Sequence, residues 1–104
     1  MDTLARLEAT IAARKGADPS SSYVAQLNHR GLPVIARKLG EEAVEAVVAA
    51  LGDDREDMVG EAADVLFHLM VLLAAKGVSL DEVLAELDRR EGTSGIDEKA
   101  SRSA

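Results

Sequence analysis

Glu41-Glu42-Ala43-Val44-Glu45, Gly52-Asp53-Asp54 and Glu61-Ala62-Ala63-Asp64 are the three pieces of this 104-residue chain whose reading decides the fold. Alanine and charged helix formers dominate around the acids, and Gly-Asp-Asp is a turn signal, so the spacing predicts two helices joined by a tight turn. At about 100° per residue, Glu42 and Glu45 stand roughly 60° apart on the first helix, as do Glu61 and Asp64 on the second. In an antiparallel helical hairpin, residues at one level are equidistant from the turn. Glu42 and Asp64 are both centred on Asp53, and so are Glu45 and Glu61. Four carboxylates therefore converge between two helices.

Unpaired carboxylates held together repel, and some must take up protons unless a cation is present. Oxygen-only ligands with no cysteine favour a hard divalent ion, Mg²⁺ or with it Mn²⁺, and Mg²⁺ keeps room in its shell for substrate phosphates. The competing reading is a solvated acidic face. Against it, Glu61 and Asp64 run straight into the most apolar stretch of the chain, and Glu42 borders Ile35, Leu39 and Ala46. Acids beside core faces need a reason. A di-iron carboxylate bundle would need Glu-x-x-His on two helices, which this chain lacks. His68, four residues after Asp64, reads as a buried histidine bonded to a neighbour or as support for Asp64.

Basic residues near the acids are candidates to receive phosphate: Lys38 first, then Arg37, and Lys15 with Arg14 at the end of the first helix. For Lys38 the alternative is an intrahelical ion pair with Glu41 or Glu42. Tyr23 reads as a packing residue ahead of a nucleotide contact. Neither a Gly-x-x-x-x-Gly-Lys loop nor a Ser/His/Asp or Cys/His arrangement stands out.

The rest of the chain follows the same helical pattern. Leu4, Leu7 and Ile11 give a first helix over about Leu4–Lys15, started by Asp2 or Thr3 and stopped by Gly16. Ser21 or Ser22 caps a short helix through Tyr23, Val24 and Leu27 to about His29, and Gly31 with Pro33 breaks it before a third helix that reaches Leu51. The fourth runs from about Arg55 to Lys76 and ends at Gly77. Ser79-Leu80-Asp81-Glu82 is a capping box that opens a fifth, to about Arg90. The expected organisation is one helical domain over 1–91 and a polar tail over 92–104, mobile in part. From Val65 to Ala75 only His68 is polar, a run far short of the ~20 residues that span a bilayer. Such a run must be buried in protein, and a domain this small has few helices to cover it, which predicts a bundle of helical hairpins completed by homodimerisation.

With 12 Lys+Arg against 19 Asp+Glu the net charge is −7, and 47% hydrophobic with 30% charged residues is a globular composition, neither disordered nor membrane-spanning. Tyr23 and Phe67 are the only Phe, Tyr or Trp side chains, so an acidic surface without stacking platforms argues against nucleic acid as a partner. Cysteine is absent, which removes disulfides, thiolate nucleophiles and Cys-ligated zinc. Met1-Asp2-Thr3-Leu4 carries no basic region followed by an apolar stretch, so the expected location is cytoplasmic, without a signal peptide.

The pattern Glu-Glu-x-x-Glu at Glu41, Glu42 and Glu45, followed by Glu-x-x-Asp at Glu61 and Asp64, resembles the signature of the all-alpha (MazG-like) NTP pyrophosphatase superfamily. Ser22-Tyr23-Val24-Ala25-Gln26-Leu27, Gly31-Leu32-Pro33-Val34-Ile35-Ala36-Arg37-Lys38-Leu39-Gly40, Asp64-Val65-Leu66-Phe67-His68-Leu69 and Ser94-Gly95-Ile96-Asp97-Glu98-Lys99-Ala100-Ser101-Arg102 narrow the resemblance to the phosphoribosyl-ATP pyrophosphohydrolase family over nearly the whole chain. That resemblance implies Mg²⁺-dependent hydrolysis of 1-(5-phosphoribosyl)-ATP to 1-(5-phosphoribosyl)-AMP and pyrophosphate, the second step of histidine biosynthesis, in a helical homodimer. The cyclohydrolase to which the activity is fused in many organisms uses cysteine-bound zinc, which a chain without cysteine does not supply. On this reading Glu42, Glu45, Glu61 and Asp64 hold one or more Mg²⁺ ions against the triphosphate for in-line attack by water. Glu41 serves a second metal or accepts the water's proton. Lys99 and Arg102 in the tail are further candidates to reach a phosphate. The rival readings are a house-cleaning pyrophosphatase of ordinary or damaged (d)NTPs, and a non-catalytic helical dimerisation module.

Overall fold

The computed structural model describes residues 2–92 and 95–103. Its elements are all helical: α1 (Thr3–Arg14), α2 (Tyr23–Arg30), α3 (Leu32–Ala50), α4 (Arg55–Ala75), α5 (Leu80–Arg90) and α6 (Gly95–Ser103). Local chemistry sets most ends. Asp2, Ser22, Asp54 and Ser79 each accept a backbone N–H at the first turn of α1, α2, α4 and α5. Gly77, in the left-handed region at φ +68, closes α4. There its N–H donates to Ala74 and that of Val78 to Leu73, which satisfies two otherwise orphaned carbonyls. α6 falls where the sequence predicted a polar tail, and Ser94, the residue before it, lies outside the described residues.

α3 and α4 form an antiparallel hairpin about the Gly52–Asp54 turn. The core gathers at one end of it, where Ile11, Val24, Leu27 and Ile35 close on Met70 and Val71 of α4, with Leu80 at the start of α5. Glu8 of α1 fixes that start by accepting the Leu80 N–H at 2.7 Å.

The other end of the hairpin stands clear of this core. Val44, Val47, Val48 and Leu51 repeat along α3 at i, i+3, i+4, i+7, and all are exposed, Leu51 at 85%. Val59 and Leu66 are exposed on α4. The run Val65–Ala75, expected to be enclosed, is covered in part within the single chain: His68, Met70 and Val71 are buried, Leu66 is exposed and the rest are half-buried. The expectation about its length needs correcting as well. Joined to the residues before it, this run makes a 21-residue helix, long and apolar enough by length and composition to cross a bilayer. Asp64 sits near its middle, where a charge in lipid would cost about 2.5–3.5 kcal/mol, and Glu61 lies one turn before it. The radius of gyration is 15.8 Å, against about 13 Å for a compact chain of this length.

Candidate functional site

α3 and α4 present their acids to each other because the turn between them is short and both faces are in helical phase. Carboxylate oxygens of Glu42, Glu45 and Glu61 lie within 4.8 Å of one another. Glu42 is only 9% exposed, Glu61 is half-buried, and Glu45 is exposed at the rim. Lys38 offsets the charge of Glu42, and Glu61 is left without such a partner among the described residues. Glu61 Oε2 is buried without a hydrogen-bond partner among the described residues. Burial holds Glu61 above the ordinary carboxylate range, helped by the charges of Asp64, Asp57 and Glu42. Glu45 is held up as well, first because its protonated form can donate to Glu42, then by the like charge of Glu42, by burial and by Glu61.

Asp64, one turn beyond Glu61, is exposed and stands outside the three-carboxylate group. Its charge nonetheless acts on Glu61. Glu41 also stands outside it, paired with Arg37 at 3.4 Å and with Lys38 at 3.4 Å. Lys38 bridges back to the cluster through Glu42 at 3.6 Å. The Tyr23 phenol raises the Lys38 pKa most, and the hydrogen bond to Glu41 adds to this. Arg37 is exposed and, among the described residues, reaches the site through its pair with Glu41. Lys15 follows the end of α1, where it lines an open groove with Pro19, Asn28 and His29, and it makes no ion pair with the cluster among the described residues. Lys99 and Arg102 lie exposed on α6.

His68 is buried and bonded to its neighbours, as the sequence suggested, whereas one further acid and one pairing were not foreseen. Asp57 adds to the field on Glu61, and its position four residues earlier on the same helix was signal enough. Tyr23 reaches His68 with its hydroxyl, 3.0 Å from Nε2, across 45 positions that no local spacing connects.

An all-oxygen donor set, a buried oxygen without a partner and mutually raised carboxylates fit a hard divalent cation, so this cluster could hold a metal ion. Comparison with known proteins bears on what such a site serves. The model of the family described as phosphoribosyl-ATP pyrophosphohydrolase matches residues 4–91. A relative from Erythrobacter litoralis is 70% identical over 102 residues, 98% of each chain. One from Novosphingobium aromaticivorans is 69% identical over 98% of this chain and 95% of its own. A third, from Rhodobacter capsulatus, is 65% identical over 98% of this chain and 99% of its own. All three are named phosphoribosyl-ATP pyrophosphatase. The chain belongs to the phosphoribosyl-ATP pyrophosphohydrolase family. Members of this family are hydrolases within the all-alpha NTP pyrophosphatase superfamily, and the all-helical hairpin architecture agrees with that membership. The family match ends at residue 91, just past α5, so it takes in the whole acidic hairpin and stops before α6.

Proposed function

We propose that this chain hydrolyses 1-(5-phosphoribosyl)-ATP to 1-(5-phosphoribosyl)-AMP and pyrophosphate, as the second step of histidine biosynthesis, with Mg²⁺ at the carboxylate cluster and Mn²⁺ as a possible substitute. The observation that carries the reading is the cluster itself: three carboxylates gathered with one buried oxygen unsatisfied, in a chain of this family. Glu42, Glu45 and Glu61 are the proposed ligands, with Asp64 as the fourth. When bound, the ion supplies charge neutralisation for the triphosphate and favours attack by water.

The chain's own residues do the rest. Releasing pyrophosphate means that water's oxygen bonds to the α-phosphorus while the bond from that phosphorus to the oxygen bridging to the β-phosphate breaks; the bridging oxygen leaves with pyrophosphate, and the proton that water loses passes to solvent. Lys38 is proposed to grip a phosphate oxygen, with Arg37 beside it and Lys15 in the outer part of the binding surface. When phosphates take Arg37 and Lys38, Glu41 is released from both ion pairs, and we assign it to a second ion. Residues 1–91 form the proposed catalytic domain, with 92–104 a polar appendage. The exposed stripe Val44, Val47, Val48 and Leu51, beside Val59 and Leu66, supports a homodimer in which two hairpins complete one bundle. A protein partner over α4 accounts for its apolar face without a membrane. The reading is of a cytoplasmic enzyme acting on a small nucleotide, with no nucleic-acid partner.

The test is pyrophosphate release from phosphoribosyl-ATP with and without Mg²⁺, beside ATP and dNTP controls. Release confined to the adduct in the presence of metal is the expected result. Equal or faster release from dNTPs would move the substrate to ordinary nucleotides, and release from nothing would leave only a helical dimer.

A further inference from the structure

Tyr23, the first residue of α2, stays 44% exposed although its polar end is already satisfied. Nδ1 of His68 lies 2.7 Å from the Asp64 carbonyl oxygen, which has no proton to give, so Nδ1 carries the hydrogen and donates it. In the neutral ring that leaves Nε2 to accept from the Tyr23 hydroxyl, 3.0 Å away. An exposed tyrosine ordinarily turns its hydroxyl to water. With the hydroxyl engaged on a buried histidine, what Tyr23 offers outward is its ring. Phe67 lies nearly parallel to that ring, at 19° with centroids 6.0 Å apart, and His68 meets it edge-on. A flat face held in this way is already ordered before anything stacks on it.

The position fits a base. His68 ties the phenol to the main chain of Asp64, so one imidazole separates the ring from the proposed fourth ligand of the carboxylate cluster. In a nucleotide the base stands one sugar away from the α-phosphate, the group that the cluster is proposed to serve. The other rings are placed less well for stacking: Phe67 is half-buried, His68 is buried, and His29 belongs to the last turn of α2. We propose that Tyr23 is a specificity-determining residue whose open ring stacks on the adenine of the substrate. This rests on the substrate reading above and deepens it. The adenine of 1-(5-phosphoribosyl)-ATP carries its second sugar on N1, and an adenine substituted there is a cation at neutral pH. Over a tyrosine face such a cation gains attraction from the ring quadrupole in addition to stacking, whereas the adenine of ATP is neutral. Tyr23 thereby favours the adduct over ordinary nucleotides. One ring takes one base, so it makes no track for a nucleic acid.

The probes are AMP and 1-methyl-AMP, added with Mg²⁺ to the full chain. Tyr23 is the only tyrosine and tryptophan is absent, so tyrosine ring protons report on this residue alone. Overhauser contacts from base H2 or H8 to those protons are expected with both nucleotides. Calorimetry should find 1-methyl-AMP about fivefold tighter, the size of an exposed cation–π contact. Tyr23→Phe should keep that preference, because it keeps the face. Tyr23→Leu should bind both nucleotides about tenfold more weakly, as loss of one base–aromatic stack does, and lose the preference. Binding of neither nucleotide, no Overhauser contact in the wild type, equal affinity for the two, or a Tyr23→Leu variant that keeps the preference would each overturn the proposal. The first three outcomes need no variant to fold. If the contacts and the preference hold but phosphoribosyl-ATP is not cleaved, the role of Tyr23 stands and the reaction proposed above falls; cleavage without them leaves the reaction and removes Tyr23 from base recognition.

Discussion

Glu61 has one carboxylate oxygen out of reach of water and of any donor among the described residues, beside the charges of Asp64, Asp57 and Glu42. In the metal-free protein its ionised form is therefore a source of instability, and the sign follows from the raised pKa. The folded state holds the proton more tightly than the unfolded chain, so Glu61 favours folding below the ordinary glutamate value of 4.5, and that contribution is lost as pH rises through the raised value. Thermal unfolding with a chelator, followed between about pH 4 and 8, should thus fall more steeply for wild type than for Glu61→Gln. At neutral pH the variant should melt a few degrees higher, because its amide can donate to Glu42 or Glu45. Mg²⁺ with a nucleotide should raise the wild-type melting temperature and leave Glu61→Gln nearly unmoved. At the two ends of the site, Glu42→Gln and Asp64→Asn should each reduce Mg²⁺-dependent turnover by at least about 100-fold, as loss of a group acting on transition-state charge does, with helical circular dichroism and the mass in solution unchanged. Activity within a few-fold of wild type in both would defeat the ligand assignment.

At the level of single helices, α5 is the clearest case of a local signal that specifies an element. Ser79 accepts the Glu82 N–H, while Glu82 Oε2 accepts from the Ser79 N–H at 2.8 Å and from its hydroxyl at 3.0 Å. Ser79→Ala should cost about 1 kcal/mol of stability in denaturant titration. The same hydrogen bonds hold Glu82 below the ordinary glutamate range, so its contribution is present above pH 4.5 and fades as pH falls through the lowered value. Glu82→Gln should flatten that acid limb. Caps of this kind explain why most helix boundaries could be read from the sequence: Ser22, Asp54 and Gly77 act on residues two to four positions away. The phase of the acids was legible for the same reason, since one helical turn separates each pair. What could not be read needs distance or depth. α6 carries Ile96 as its one large apolar residue, too little period to announce a helix. Asp64 shares the level of Glu42, yet its side chain is one methylene shorter than those of the three gathered glutamates, a matter of reach that phase does not contain. Tyr23 and His68 meet only because α2 is folded against α4 by core residues such as Leu27 and Met70.

A folded monomer of 11.0 kDa is expected to expose roughly 5,600 Å², whereas this chain exposes 7194 Å². The excess of about 1,600 Å² per chain, doubled across a two-fold axis, falls in the range of obligate homodimer interfaces, roughly 2,000–5,000 Å² in all. Part of it lies on the free end of the α3–α4 hairpin, where Val44, Val47, Val48 and Leu51 are exposed. Val48 lets the two descriptions be told apart. In an isolated chain it is 65% exposed, so Val48→Glu would be a surface change worth no more than about 0.5 kcal/mol. In a dimer closed along the α3 stripe, the same substitution places a carboxylate at a two-fold apolar seam, opposite its own copy, at a cost of several kcal/mol. Wild type should sediment at twice the chain mass, with a melting temperature that rises with protein concentration. Val48→Glu should sediment as a single chain or melt far lower, and lose turnover with the dimer, because the acid-bearing hairpin then lacks its outer support. A variant that melts like wild type, with a wild type that sediments at 11.0 kDa, would mean that the stripe is simply exposed and that one hairpin is enough to hold the site.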